Sequence, residues 1–281
     1  DISRSFFSYI PNTAETCFLG LLEAVGGALR SIEADSIWDK IQDGSVTRSD
    51  LTKLNHTRVQ AELIAHKDQR LRTFITHDAA RRDLVSHIYD ITRGLIEKDD
   101  TLVVVDDSIV RGTTLRESII TSLSQLNPKR IVIVSSAPPI MYPDCYGIDM
   151  SQIGKFIAFE AAIELTKDAG NESIFEEIAR NCIAQEKLPV SQMQNQVKAL
   201  YDQFTLKDIS CKVAELVRPN ELDWNGQLDV IYQDVDGLRA AMPEHTGDWY
   251  FTGNYPTPGG NAVVNRAFLN WHTSNDSKRA Y

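Results

Sequence analysis

The segment Thr101-Leu-Val-Val-Val-Asp106-Asp107-Ser108-Ile109-Val110-Arg111-Gly112-Thr113-Thr114 decides the reading of this chain. Its first half is an unbroken apolar, β-branched run, the pattern of a strand buried on both faces in a parallel sheet. Such a strand delivers Asp106 and Asp107 to its carboxyl end, where ligands bind in open α/β sheets. Neighbouring side chains of an extended chain alternate in direction, so one local ion pair cannot satisfy both carboxylates. The pair suits a polyol, a cation, or both. Gly112, flanked by Arg111 and two threonines, stands directly before a helix. Glycine lets backbone approach a ligand, and successive amides at a helix start form a nest for an anion. The expected ligand is a phosphate attached to something hydroxylated, in the simplest case a sugar phosphate. An Asp-Asp pair can also be a turn or cap, and Gly-Thr-Thr alone is weak; it is their order after this strand that favours a site.

Working outward, Ile119, Ile120 and Leu123 mark a helix ending near Asn127-Pro128, and Arg130-Ile-Val-Ile-Val-Ser135 is a second buried strand. Strand, loop, helix and strand form a βαβ unit, so an α/β fold with a parallel sheet flanked by helices is expected. Upstream, Phe6-Phe7-Ser8-Tyr9-Ile10-Pro11 reads as a strand. Thr13 is positioned to cap a helix carrying Cys17, Leu21, Leu22 and Val25, which Gly26-Gly27 weaken. Residues 30–66 show no motif. Leu84, Ile88, Ile91 and Leu95 share one helix face, and residues 160–217 are helical. The stretch from Gly247 to Gly260, with its glycines, prolines and aromatics, reads as irregular chain pinned by Trp249, Tyr250, Phe251 and Tyr255. The expected division is 1–165 for the sheet-bearing domain and 166–281 for a helical and irregular extension packed on it.

With 281 residues, 42% of them apolar, the chain can bury a sizeable core. Acidic side chains outnumber basic ones 39 to 29, which argues against nucleic acid or an anionic membrane as partner. No apolar run approaches the ~18 residues of a membrane-spanning helix. The four cysteines (Cys17, Cys145, Cys182, Cys211) are too few and scattered for a disulfide framework, and none forms a CxxC pair. These features predict a cytoplasmic globular protein.

The Val103–Thr114 wording resembles the phosphoribosyl-pyrophosphate (PRPP) loop of type I phosphoribosyltransferases, and specifically that of the glutamine PRPP amidotransferase (amidophosphoribosyltransferase) family. Further blocks are similar to the same family: Ser135 to Met150, with its Tyr142-Pro143 and Tyr146-Gly-Ile-Asp149; Arg72-Thr-Phe-Ile75, like part of a mobile loop over PRPP; and Ile10-Pro-Asn-Thr13, like a pyrophosphate-contacting turn. The glycine- and aromatic-rich segment near the end resembles one bacterial branch.

The resemblance implies a type I phosphoribosyltransferase fold and transfer of ammonia to PRPP, giving 5-phosphoribosylamine and pyrophosphate. By resemblance, Asp106 and Asp107 hold the ribose hydroxyls with Mg2+ nearby. Ser108, Arg111, Gly112, Thr113 and Thr114 cradle the 5-phosphate. Asn12 and Thr13 meet the pyrophosphate, and Arg72 and Thr73 belong to a lid, with Arg72 stabilising the leaving group. Ala14 stands where the family often has serine, and polar chain around Gln69 replaces an aromatic residue of the ammonia path. Cys145 is displaced by one position from a cluster cysteine of some relatives, so no iron–sulfur cluster is expected.

The family draws ammonia from glutamine through a nucleophilic cysteine at the start of a separate glutaminase domain. This chain starts at Asp1, so the expectation is an internal cut, with the glutaminase domain upstream, and a fragment using free ammonia but not glutamine. Relatives also imply a homo-oligomer. Two rivals remain: a nucleobase phosphoribosyltransferase sharing the loop, and a PRPP-sensing regulator without catalysis.

Overall fold

In the computed structural model, residues 2–11, 13–56, 59–67, 89–144, 150–245 and 247–274 are described. The strands are β1 (Ser5–Tyr9), β2 (Gln60–Ala61), β3 (Ala65–Lys67), β4 (Tyr89–Ile91), β5 (Thr101–Asp106), β6 (Arg130–Ser135) and β7 (Gln227–Tyr232). Five of them form one sheet in the order β2-β1-β5-β6-β7, and β3 pairs with β4.

The sheet is parallel. β1 runs in register with β5 from Ser5↔Thr101 to Tyr9↔Val105, and parallel to β2 on its other side. β5 and β6 start together, since the amides of Lys129 and Arg130 both donate to the Asp100 carbonyl. β7 follows β6: the Gln227 amide donates to Lys129 O at one end and the Gln233 amide to Ser135 O at the other. In β5, Leu102, Val104 and Val105 are buried, as are Ile131, Val132 and Ile133 in β6. Continuous β-branched sequence is what a strand covered on both faces requires. The edge strand β7 instead alternates, burying Leu228, Val230 and Tyr232 while Ile231 faces out.

The helices are α1 (Glu15–Gln42), α2 (Arg48–His56), α3 (Ile120–Ser124), α4 (Ile157–Asp168), α5 (Ser173–Gln185), α6 (Lys198–Tyr201), α7 (Leu206–Val217), α8 (Val235–Ala241), α9 (Trp249–Thr252) and α10 (Pro258–His272). A π-helical turn, Leu115–Ile119, leads into α3, its end marked by the Ile120 amide donating to Leu115 O.

Contacts group the chain into two compact units. One comprises residues 1–107, 121–133 and 223–227. In it, Tyr9 packs on Phe18 of α1 at 4.9 Å between ring centres, and the fully buried Trp224 donates from Nε1 to Pro128 O at 2.7 Å. The other comprises 108–120, 134–222 and 228–281. There α4 buries Ile157, Phe159, Ile163 and its alanines while Glu160 and Lys167 stay exposed, and it packs against α7. Phe159 and Phe175 meet Trp271 of α10 edge-on at 4.9 and 5.8 Å.

Several elements differ from the sequence expectation. α1 continues through Gly26-Gly27 to Gln42, because two glycines cost roughly 1 kcal/mol each against the hydrogen bonds of a long helix. Ile91 lies in β4, paired with Ala65, and Leu95 in an exposed loop, so the helix read through them is absent there; Leu84 and Ile88 lie outside the described residues. Four apolar residues spaced four-three-four were too few to exclude a strand. Residues 30–66 hold the end of α1, all of α2, and β2. The stretch 247–260 is more regular than expected, containing α9 and the start of α10, with Pro258 in the first helical turn, where its missing amide hydrogen is harmless.

Candidate functional site

The register of β1 and β5 sets the site's geometry. The ladder extends one step past Tyr9, the Ile10 amide donating to Val105 O at 2.8 Å. Both strands therefore end together, and Thr13 of the turn after β1 lies beside Asp107, which follows the last residue of β5, Asp106. Thr13 Oγ1 donates to Asp107 Oδ2 at 2.5 Å. Asp106 Oδ1 accepts the Asp107 amide at 3.0 Å. Both aspartates are half-buried.

Thr13 thus does not cap α1. The cap position is Ala14, fully buried and without a side-chain bond to the helix. The threonine hydroxyl points across to β5 instead, which supersedes the capping expectation.

The loop that follows is shaped by one glycine. Gly112 has φ +67, and a Cβ there would sit 3.0 Å from Ile157 Cδ1 and 3.1 Å from Val217 Cγ1. Its carbonyl accepts the Arg116 amide at 2.9 Å, opening the π turn. Behind it, the Ile157 amide donates to Val110 O at 2.8 Å, fixing the loop to the start of α4. Ile109 is buried, whereas Arg111, Thr113 and Thr114 are exposed and Ser108 is half-buried. Thr114 makes no capping bond of its own. Charged and hydroxylated groups therefore face outward from a loop held from behind by apolar contacts, as an anion cradle needs. Asn12, Arg72 and Thr73 lie outside the described residues.

Of the second sequence block, Cys145 and Tyr146 to Asp149 lie outside the described residues, and Met141 to Pro143 are anchored by the segment read as irregular. The Met141 and Tyr142 amides both donate to Tyr250 O, at 2.9 and 3.0 Å, and Tyr255 Oη donates to Pro143 O at 2.7 Å. Tyr201 Oη donates to Met141 O at 2.7 Å, and its ring meets Tyr142 edge-on at 5.2 Å. Burial pushes both phenols well above their ordinary pKa, with the Asp202 charge adding to the shift at Tyr142. They are structural neutral groups at any ordinary pH.

Sequence reasoning did not find Ile157 and Val217 as the backing of the Gly112 loop, because contacts of such long range leave no local pattern. The docking of Tyr250 and Tyr255 was legible only as aromatic spacing. Among the described residues, no group of three or more His, Cys, Asp or Glu side chains is gathered to hold a metal, and no helix is long and apolar enough to cross a membrane.

These features define an α/β protein in which a parallel strand ends on paired carboxylates and is followed in sequence by a glycine loop. Comparison with known proteins narrows the class. The chain is 35% identical over 136 residues, 48% of its length, to the amidophosphoribosyltransferase of Bacillus subtilis (strain 168), and this covers 28% of that relative. It is 47% identical over 62 residues to that of Haemophilus influenzae and 44% over 61 residues to that of Escherichia coli K12, in each case 22% of this chain and 12% of the relative. A solved glutamine PRPP amidotransferase from B. subtilis, complexed with ADP and GMP, aligns with 90% of this chain and 38% of its own at 21% identity and a TM-score of 0.44. No family model matches. The chain is similar to amidophosphoribosyltransferases, and its matches to these curated relatives span between 12 and 28% of their length.

Proposed function

We propose that this chain carries the phosphoribosyltransferase chemistry of an amidophosphoribosyltransferase, in a type I phosphoribosyltransferase domain over residues 1–165 extended by 166–281. The observation that carries the proposal is the carboxyl end of β5. There Asp106 and Asp107, the latter braced by Thr13, are followed in sequence by the Gly112 loop, carboxylates suited to ribose hydroxyls and then a loop suited to a phosphate.

In this reading Asp106 and Asp107 accept hydrogen bonds from the ribose 2- and 3-hydroxyls. The amides of Gly112 and Thr113, the hydroxyls of Ser108, Thr113 and Thr114, and the Arg111 guanidinium receive the 5-phosphate. Ammonia attacks the anomeric carbon, a C–N bond forms, the C–O bond to pyrophosphate breaks, and the nitrogen then loses a proton. No protein nucleophile takes part. The protein positions the sugar, stabilises charge and excludes water. Arg72, Thr73 and Asn12 are assigned to the pyrophosphate and the lid on sequence resemblance.

Two adjacent carboxylates fit Mg2+, a hard cation that commonly takes one or two protein carboxylates together with substrate phosphates. Asp106 and Asp107 would hold it. The ion supplies neutralisation of the pyrophosphate charge. The same reading makes the protein cytoplasmic and homo-oligomeric, with ammonia delivered from glutamine by a glutaminase domain.

The test is a pyrophosphate-release assay with PRPP, Mg2+ and either ammonium, glutamine or free nucleobases. Release with ammonium and none with adenine, guanine, hypoxanthine or orotate supports the proposal. Base-dependent release supports a nucleobase transferase, and PRPP binding without turnover a regulator.

A further inference from the structure

Thr13 touches an aspartate 94 residues away in sequence, whereas Thr47, Thr205 and Thr252 bond aspartates within four residues. The turn that carries it is held on both sides by backbone. On one side, the Ile10 amide bonds to Val105 O; on the other, the buried Ala14 starts α1, its carbonyl accepting the Phe18 amide at 2.9 Å. Thr13 is therefore fixed in place although its side chain is exposed. Its hydroxyl lies 2.5 Å from Asp107 Oδ2, at the short end of hydroxyl–carboxylate bonds. A carboxylate only accepts, so the threonine is the donor.

A hydroxyl has one hydrogen. While Thr13 donates it to Asp107, it has none to give a pyrophosphate oxygen. A substrate contact donated by the Thr13 hydroxyl and the observed bond thus exclude each other. The bond also meets a physical need. Asp106 and Asp107 are adjacent acids whose mutual repulsion opposes a common orientation, and a donor on one of them offsets that repulsion and fixes its rotamer.

We infer that Thr13 is a positioning residue: it acts through Asp107, holding that carboxylate in the orientation that receives a ribose hydroxyl and tying the turn after β1 to the acids after β5. The inference rests on the function proposed above, and it changes the role of Thr13 within it.

A double-mutant cycle on the full chain tests it, read as the dissociation constant for PRPP with Mg2+ by titration calorimetry. Thr13→Val should weaken binding about tenfold, the usual scale for one hydrogen bond to a charged group, and Thr13→Ser should restore it to within about twofold. In an Asp107→Asn background, Thr13→Val should cost less than about twofold, because the partner charge is already gone. If Thr13→Val fails to fold, Thr13→Ala takes its place in the cycle. An undiminished loss in the Asp107→Asn background would show direct contact between Thr13 and substrate and overturn the inference, as would a Thr13→Val protein that binds like wild type. A wild-type chain that does not bind PRPP at all overturns the functional proposal itself, so the two failures are separable.

Discussion

Gly112 and Ile157 are packed so closely that a single added carbon would bring them to 3.0 Å. Ile157 opens α4 while Gly112 sits in the loop before α3, and the left-handed φ of +67 at Gly112 already disfavours any residue with a side chain. Gly112→Ala meets both penalties. The expected loss of stability is about 2–4 kcal/mol, combining roughly 1–2 for backbone handedness with overpacking. Urea unfolding measures the loss, and PRPP affinity should fall with it because the anion cradle shifts.

The tail makes a second, separate test. Gly253 has φ +66, and a Cβ there would lie 2.8 Å from Tyr142 Cζ, in a rigid ring. Gly253→Ala should therefore destabilise the Tyr142–Tyr201 packing by more than Tyr255→Phe, which removes the bond to Pro143 O and costs about 1 kcal/mol. Equal and negligible effects on thermal unfolding would contradict the docked tail.

Acid stability should carry the signature of Asp50. Bonds from the Lys40 ammonium and from the hydroxyl and amide of Thr47 hold its carboxyl well below the usual carboxylate range. A pKa depressed in the folded state stabilises above the unfolded value, about 3.9, and that stability is lost as pH falls through the folded value. Wild type should exceed Asp50→Asn in thermal midpoint by a constant margin above about pH 5, and the margin should shrink steadily below about pH 4.

The thiols should separate by burial. Cys17 and Cys211 are exposed, whereas Cys182 is fully buried and its pKa is pushed up to about 12 by desolvation and by the nearby Glu186. The thiolate is the reactive form. Alkylation at pH 8 followed by peptide mapping should label Cys17 and Cys211 in the native protein, and Cys182 only after denaturation.

The parts of this molecule legible in the sequence are those where one local pattern has one structural solution. Thr101–Asp106 and Arg130–Ser135 announce buried parallel strands, because short, mostly β-branched apolar runs with a helical segment between them fit a βαβ unit. Gly112 announces a tight loop because of what precedes and follows it. β7 carries a short alternation at Leu228, Val230 and Tyr232, weaker than the helical periodicity upstream. Thr13 does not cap α1 as its local sequence suggests, since its hydroxyl is claimed by Asp107, 94 residues away in sequence. No local rule encodes such a partner. The backing of Gly112 by Ile157 and Val217 was hidden for the same reason: β1 meets β5, and the Gly112 loop meets α4 and α7, only once the chain has folded.

The central claim is that the acids after β5 hold the ribose of PRPP for attack by ammonia. Its most direct test is the rate of pyrophosphate release from PRPP with Mg2+ and ammonium, for wild type and for Asp106→Asn and Asp107→Asn proteins of matched thermal midpoint. The account predicts ammonium-dependent release by wild type and a loss of at least about 100-fold in each variant, the scale expected when groups that position and stabilise the reacting sugar are removed. Variants that turn over like wild type, or a wild-type chain that releases no pyrophosphate, would contradict it.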